Sequence, residues 1–207
     1  DDAFYYATSL KKVSLPTNLK TIGRNAFTNC ALEEIYLPSS LTKIGRSAFY
    51  GCSKLLTVQV LDLSVWLQIE FEYDTTIYKP EIRSNPLSNG AATLYVAGAD
   101  EYVAVTEIDL ENVTINAGAF YNYSKLNSVQ LDYCTIQPYA FYKCNNLSIC
   151  SFYPRDGWKA YNPLNESLVA QFSFGSSLES IPYITTIDHT ITDTTKRGYA
   201  DCIIKRN

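Results

Sequence analysis

The residues of this chain best able to do chemistry are six cysteines and a single histidine. A zinc site needs three or four closely spaced Cys and His ligands, and the sequence contains no Cys-x-x-Cys. A Ser-His-Asp or Cys-His hydrolase needs a histidine as its base, and the one histidine, His189, takes the place of Leu110 in the repeat, where a core or boundary position is expected. The acidic pairs Glu33–Glu34 and Glu70–Glu72 are typical of a solvated strand face. The sequence therefore predicts no catalytic centre, no cofactor and no metal site.

The two tryptophans offer a different chemistry, because an exposed indole ring can stack on a sugar. Trp66 and Trp158 are each followed by Asn-Pro-Leu, at residues 85–87 and 162–164. The alternative is that each indole anchors its segment to the core, as large aromatic side chains commonly do. We favour the anchoring role, and the similar order of these residues suggests that one module occurs twice.

Composition narrows the class of protein. The chain has 207 residues, of which 46% are hydrophobic and 18% are charged, so we expect a folded core. A net charge of −4 argues against nucleic-acid binding, and no apolar run approaches the roughly 20 residues of a membrane helix. The sequence begins inside a repeat, at Asp1-Asp2-Ala3-Phe4, so we expect a processed or excised part of a longer protein.

An internal repeat sets the architecture. Residues 10–30 and 32–52 share the pattern L-x-x-[IV]-x-L-P-x-x-L-x-x-I-G-x-x-A-F-x-x-C, with a period of 22 or 23 residues. Such a period is typical of a solenoid, in which each repeat stacks on its neighbours. The Phe of the pattern recurs at Phe4, Phe27, Phe49, Phe120 and Phe141.

The repeats predict one mainly β domain over residues 1–207, a right-handed solenoid of short stacked parallel strands with about eight or nine turns. We predict regular repeats over residues 1–60, a first insertion over 61–104 and further regular repeats over 105–152. A second insertion over 153–183 and a degenerate last repeat over 184–207 follow.

Each repeat has residue types that suit one turn of such a coil. In residues 32–37 the apolar side chains alternate with polar ones, which predicts a strand with Ile35 inward and Glu34 outward. Pro38 cannot donate to a strand ladder and is expected to end it. We expect Gly45 to adopt a backbone conformation that other residues resist, and Phe49 to fill the interior of the coil.

The cysteines follow the same register. Cys30, Cys52, Cys144 and Cys202 share one inward position, and Cys134 and Cys150 replace aliphatic residues. This placement favours buried thiols. Disulfides between neighbouring turns remain an alternative, because stacked strands lie about 5 Å apart.

With this pattern, the chain resembles the BspA-like leucine-rich repeat family over residues 1–60 and 105–150, and the segment from Trp66 to Val96 is similar to an insertion found in that family. Residues 153–207 depart from the pattern. The resemblance implies a bacterial protein that is exposed on the cell surface or secreted, and that adheres to host or partner proteins.

Outward positions of the predicted strands form the candidate binding face, because they vary in chemistry while the inward residues do not. They are Lys12, Ser14, Glu34, Tyr36, Thr57, Gln59, Glu107, Asp109, Ser128 and Gln130. A solvated sheet also needs polar residues, so each could equally have only that role. A second candidate is a ladder of tyrosines after the Ala-Phe pair, Tyr5, Tyr50, Tyr121 and Tyr142, although packing against the next turn is the favoured role.

We therefore predict a non-catalytic, monomeric protein-binding module whose partner is a protein, such as one of the host matrix or of a host surface. One alternative is a structural spacer within a larger surface protein. Another is a glycan-acting enzyme with its site in the two insertions.

Overall fold

The computed structural model describes residues 1–73, 82–153, 157–162, 168–172, 184 and 203–206. The chain divides into two compact units, Asp1–Val105 and Thr106–Asn207, which we call unit 1 and unit 2. His189, Cys202 and most of the two segments predicted as second insertion and last repeat lie outside the described residues. The single domain predicted from the sequence stays a prediction.

Unit 1 contains seven short strands in the part that the structure describes. They are β1 (Thr21–Ile22), β2 (Glu34–Tyr36), β3 (Lys43–Ile44), β4 (Thr57–Val60), β5 (Glu70–Phe71), β6 (Thr93–Ala97) and β7 (Tyr102–Ala104). One sheet has the order β2-β4-β6-β7 and the other β1-β3-β5. All neighbours are parallel except β6 and β7.

Residues 61–104, predicted as an insertion, contribute strands to both ladders of unit 1. β5 extends the ladder of β3, and β6 extends that of β4 in parallel register. The extra residues form helix α1 (Leu63–Leu67), whose first turn is capped by Asp62, and a 3₁₀ helix (Pro86–Asn89), capped by Asn85. The insertion is thus a lengthened turn of the same coil.

Unit 2 repeats the scheme and then changes it. Its strands are β8 (Glu107–Glu111), β9 (Thr114–Ile115), β10 (Ser128–Asp132), β11 (Thr135–Ile136), β12 (Ile149–Tyr153), β13 (Trp158–Tyr161), β14 (Leu168–Phe172) and β15 (Ile203–Arg206). β8, β10 and β12 are parallel, as are β9 and β11. β15 lies antiparallel to β11 and β13, so it does not continue the parallel ladder. The prediction of a mainly β fold with stacked parallel strands is confirmed.

The core of unit 1 has a stack of phenylalanine rings. Phe27 lies between Phe4 and Phe49, with ring centroids 5.4 Å apart on each side. The Cys of each repeat then ties two turns together. The thiol of Cys30 donates to the carbonyl oxygen of Phe4, and that of Cys52 donates to the carbonyl oxygen of Phe27, each at 3.0 Å.

The core of unit 2 uses the same two contacts. The rings of Phe120 and Phe141 stack at 5.3 Å, and the thiol of Cys144 donates to the carbonyl oxygen of Phe120 at 3.0 Å. Cys134 and Cys150 are also buried, and all five cysteines that the structure describes are free thiols. For these five, the prediction of buried thiols is confirmed.

Two backbone positions in each repeat take left-handed φ values, two residues before and two residues after the Phe. They are Asp2 and Tyr6, Asn25 and Asn29, Ser47 and Gly51, Gly118 and Asn122, and Tyr139 and Lys143, with φ between 53° and 74°. These conformations suit glycine and asparagine best. The Ala-Phe segment is therefore enclosed by two sharp turns.

Gly45 has a different role from the one that we predicted. Its φ does not lie in the left-handed region, and an added Cβ would lie 2.6 Å from the backbone nitrogen of Arg24 in the preceding turn. The expectation of a special conformation was wrong. Glycine is needed here because two backbones approach each other closely, which the chain's own pattern cannot show.

Candidate functional site

The outward side chains of β2, β4 and β6 form one surface, which we call the unit 1 face. The strand register places these residues in two rows, Glu34–Thr57–Thr93 and Tyr36–Gln59–Tyr95. The inward side chains between the rows, Ile35, Val58 and Leu94, are almost completely buried. Alternation along each strand therefore holds the outward residues on a firmly packed base.

Charges on the unit 1 face are paired. Lys12 Nζ lies 2.7 Å from Glu34 Oε1, and the hydrogen bond from this ammonium group to Glu34 raises the pKa of Lys12. Lys11 makes a similar contact with Glu33 at 3.0 Å, which lowers the pKa of Glu33. Both pairs are exposed, so they fix side-chain positions more than they stabilise the fold.

Lys12 and Ser14 are exposed as predicted, but residues 11–15 form no strand. Glu33 N donates to Lys11 O at 3.0 Å, so this segment runs beside the start of β2. The regular parallel ladder of this face begins at the following strand, β2.

An aromatic and apolar group borders the unit 1 face where its strands end. Tyr36 and Leu61 are both exposed, and Tyr102 of β7 lies opposite Ala97 of β6. Partial burial and the proximity of Tyr36 raise the pKa of Tyr102. Tyr102 was not predicted from the sequence, because nothing in the repeat pattern indicates that β7 turns back to pair with β6.

The outward side chains of β8, β10 and β12 form a second surface, the unit 2 face. Its register gives three rows, Glu107–Ser128–Ile149, Asp109–Gln130–Ser151 and Glu111–Asp132–Tyr153. Gln130 Nε2 donates to Asp109 Oδ1 at 3.2 Å across two strands. Ile108, Val129 and Cys150 lie buried beneath it.

The unit 2 face has two zones. Carboxylates occupy all three outward positions of β8 and one of β10, whereas β12 presents Ile149 and Tyr153, which are 51% and 60% exposed. The ring of Tyr153 lies 6.2 Å from that of Tyr133, edge to face. None of the nine outward positions holds a Lys or Arg.

Eight of the ten predicted face residues lie on strands that the structure brings together, four on each face. Seven further outward residues were not predicted from the sequence: Glu111, Asp132, Ile149, Ser151 and Tyr153 of unit 2 and Thr93 and Tyr95 of unit 1. A signal existed for most of them, because the alternation of β10, β12 and β6 continues past the positions chosen. The role of the ten residues in binding stays a prediction.

The four tyrosines after the Ala-Phe pair do not share one environment. Tyr5 and Tyr50 are exposed, and the guanidinium of Arg83 lies 4.3 Å from the ring centre of Tyr50. Tyr121 is only 4% exposed and packs 5.8 Å from Tyr142. In unit 2 the favoured structural role of this position is thus confirmed for Tyr121.

Neither tryptophan is available to a sugar. Trp66 and Trp158 are both fully buried. The ring centroid of Trp66 lies 5.1 Å from that of Phe71, and the ring centroid of Trp158 lies 5.1 Å from that of Phe152. Both therefore anchor their segments, as favoured above. In the ranges that the structure describes, no group of three or more His, Cys, Asp or Glu is arranged to hold a metal ion, and no helix is long and apolar enough to cross a membrane.

A family model described as "BspA type Leucine rich repeat region" matches the chain in six copies, over residues 1–85 and 101–193. Among curated proteins, no match is found.

Two solved structures are similar to the chain. One is a leucine-rich cell surface protein from Faecalibacterium prausnitzii A2-165, with 26% identity, a TM-score of 0.36, and coverage of 73% of this chain and 37% of that one. The other is a leucine-rich repeat protein from Bacteroides ovatus ATCC 8483, with 20% identity, a TM-score of 0.34, and coverage of 70% and 44%. The chain thus spans less than half of either protein. Because both TM-scores are below 0.5, family assignment rests on the repeat match.

Proposed function

The chain belongs to the BspA-type leucine-rich repeat family, and we propose that it is a non-catalytic protein-binding module of a bacterial cell-surface or secreted protein. Solenoids of this kind offer a long surface of stacked strands to their partners. The proposal assigns binding to the outward strand faces and names adhesion to a host matrix or surface protein as its biological use.

One observation carries the proposal, namely the contrast between the two sides of the same strands. On the unit 1 face, the inward residues Ile35, Val58 and Leu94 are uniformly apolar and almost completely buried. Their outward neighbours differ from strand to strand in size, polarity and charge. A firmly packed base that carries varied exposed side chains suits recognition, because the strands beneath those side chains lose little conformational entropy when a partner binds.

The composition of the unit 1 face supports a protein partner. Tyr36 and Tyr95 flank Gln59 in one row, and the charged pair Lys12–Glu34 lies at its border. Exposed tyrosines beside paired charged groups resemble the composition of protein interfaces, in which Tyr is enriched.

The test compares two triple variants on a panel of immobilised matrix proteins, fibronectin, laminin and collagen. One variant replaces Glu34, Tyr36 and Gln59 by Ala. The control replaces exposed residues that belong to neither face, Thr17, Lys54 and Glu101, by Ala. Surface plasmon resonance should show at least about tenfold weaker binding for the first variant and little change for the control.

Circular dichroism melts of both variants verify that each is folded. Equal binding by the two triple variants would refute a role for the unit 1 face. If the unmodified protein bound no member of the panel, adhesion to matrix would be refuted and a spacer role favoured.

A further inference from the structure

Two carboxylates of the unit 2 face lie directly opposite each other. Glu111 on β8 and Asp132 on β10 are register partners in neighbouring parallel strands. Like charges in this position repel each other and destabilise a sheet. Asn112 Nδ2 donates to Glu111 Oε1 at 3.0 Å, whereas Asp132 Oδ1 is enclosed and accepts no hydrogen bond. The pair is therefore incompletely satisfied within the described structure.

The same repeat pattern treats its acids differently on the two faces. On the unit 1 face, Glu34 has its cation, Lys12, at 2.7 Å. On the unit 2 face, Glu107 and Asp109 join Glu111 and Asp132, and no ion pair in the described parts of the chain includes any of the four. Four acids at nine outward positions leave a local negative field with no cation of its own strands to balance it.

The acids lie at a spacing that an extended chain can match. Outward side chains of β8 at 107, 109 and 111 are separated by two residues each, about 6.6–6.8 Å along the strand. Alternate side chains of an extended peptide repeat at the same interval. On β12, which is separated from β8 by β10, Ile149 and Tyr153 expose apolar surface on either side of Ser151, and Tyr153 is the register partner of Asp132.

Resting on the proposed function, we infer that the unit 2 face binds an extended basic segment of the partner protein. Arg side chains at alternate positions pair with the exposed carboxylates of Glu107, Asp109 and Glu111, the last of them next to Asp132. An apolar or aromatic side chain covers Ile149 and Tyr153. Arg fits better than Lys, because its planar guanidinium binds carboxylates in a bidentate manner and stacks on tyrosine rings.

The direct test uses a fluorescein-labelled peptide of the sequence Arg-Ser-Arg-Ser-Arg-Ile-Tyr, followed by fluorescence anisotropy. Two control peptides carry Glu in place of Arg, or the three Arg residues side by side. The alternating Arg peptide should bind, weaken several-fold between about 50 and about 200 mM salt, and exceed both controls. Equal binding of the two Arg peptides would overturn the spacing argument.

Variants locate the contact. Glu111→Gln with Asp132→Asn should weaken binding about tenfold, and Tyr153→Ala should weaken it less. Glu101→Gln, an exposed acid outside both faces, is the matched control and should have little effect. If Glu101→Gln weakens binding as much as the paired substitution, the attraction is general charge and the inference fails.

A second readout needs no ligand. Because the Glu111–Asp132 pair repels, Glu111→Gln with Asp132→Asn should raise the melting temperature at neutral pH. A lower melting temperature would mean that the carboxylates already have a cation partner, and would overturn the inference. So would a melting temperature that calcium chloride raises in the unmodified protein but not in this variant, because the pair would then hold a metal ion.

The two proposals can fail separately. Loss of peptide binding alone, with matrix binding that still depends on Glu34, Tyr36 and Gln59, would refute the basic partner and leave the proposed function in place. Peptide binding at the unit 2 face without any binding to the matrix panel would refute adhesion to matrix and keep the basic partner.

Discussion

Replacement of Phe27 by Ala would remove the middle ring of the stack in unit 1. Phe27 is almost completely buried, and its ring contacts Phe4 on one side and Phe49 on the other. Burial of a Phe side chain contributes about 1.5–3 kcal/mol, and each stacked pair about 0.5–1.5 kcal/mol more. We therefore expect Phe27→Ala to lower the free energy of unfolding by about 3–5 kcal/mol, the usual range for a buried Phe.

Phe4 offers a matched comparison, because it is the same residue at the same position of the repeat. Phe4 is 41% exposed, and its ring stacks on one side only, against Phe27. Phe4→Ala should therefore cost about 1–2 kcal/mol. The difference between the two variants measures what stacking of one turn between two others contributes.

The assay is urea unfolding followed by the fluorescence of Trp66, which is buried in unit 1, in a Trp158→Phe background common to all variants. A double-mutant cycle of Phe27 and Phe49 should give a coupling energy of about 0.5–1.5 kcal/mol. A loss below about 1 kcal/mol for Phe27→Ala, or equal losses for Phe27 and Phe4, would refute the reasoning.

Three further predictions concern a backbone conformation, two buried thiols and one ion pair. Ser47 has φ of 61°, so Ser47→Gly should raise the free energy of unfolding by about 1 kcal/mol in urea melts. Burial raises the pKa of Cys52 and Cys144 to about 12, so mass spectrometry should find both unlabelled by iodoacetamide at mildly alkaline pH until urea is added. Lys43 Nζ lies 2.6 Å from Glu72 Oε1 and lowers the pKa of Glu72. The pair's small contribution to stability is thus present at neutral pH and lost as the pH falls through that lowered pKa. Glu72→Gln should therefore remove this acid-sensitive part of the melting curve.

The candidate faces were predictable to the extent that they follow from alternation within a strand. The pattern of residues 32–37 identifies Glu34 and Tyr36 as outward and Ile35 as inward, and the structure agrees. Alternation did not show which strands share a sheet edge, how far each strand runs, or that Glu111 meets Asp132. Those facts depend on register between strands more than 20 residues apart.

Some residues have roles that depend on contacts no local pattern contains. Gly45 leaves room for the backbone of Arg24 in the preceding turn, because a Cβ atom at this position would clash with it, and the repeat pattern does not predict this close approach. Tyr121 is buried although Tyr50, at the equivalent position, is exposed, because each meets different neighbours. The strands β5 and β6 look irregular in sequence, yet they continue the ladders of β3 and β4.

The sequence by itself determined the repeat, its apolar interior and the side of each strand that faces solvent, because a period of 22 or 23 residues and a two-residue alternation are properties of one chain segment. The tertiary structure alone decided which outward residues become neighbours and which charges lack a partner. The physical reason is that charge pairing and ring contact depend on distances across strands, and stacking of distant segments sets those distances.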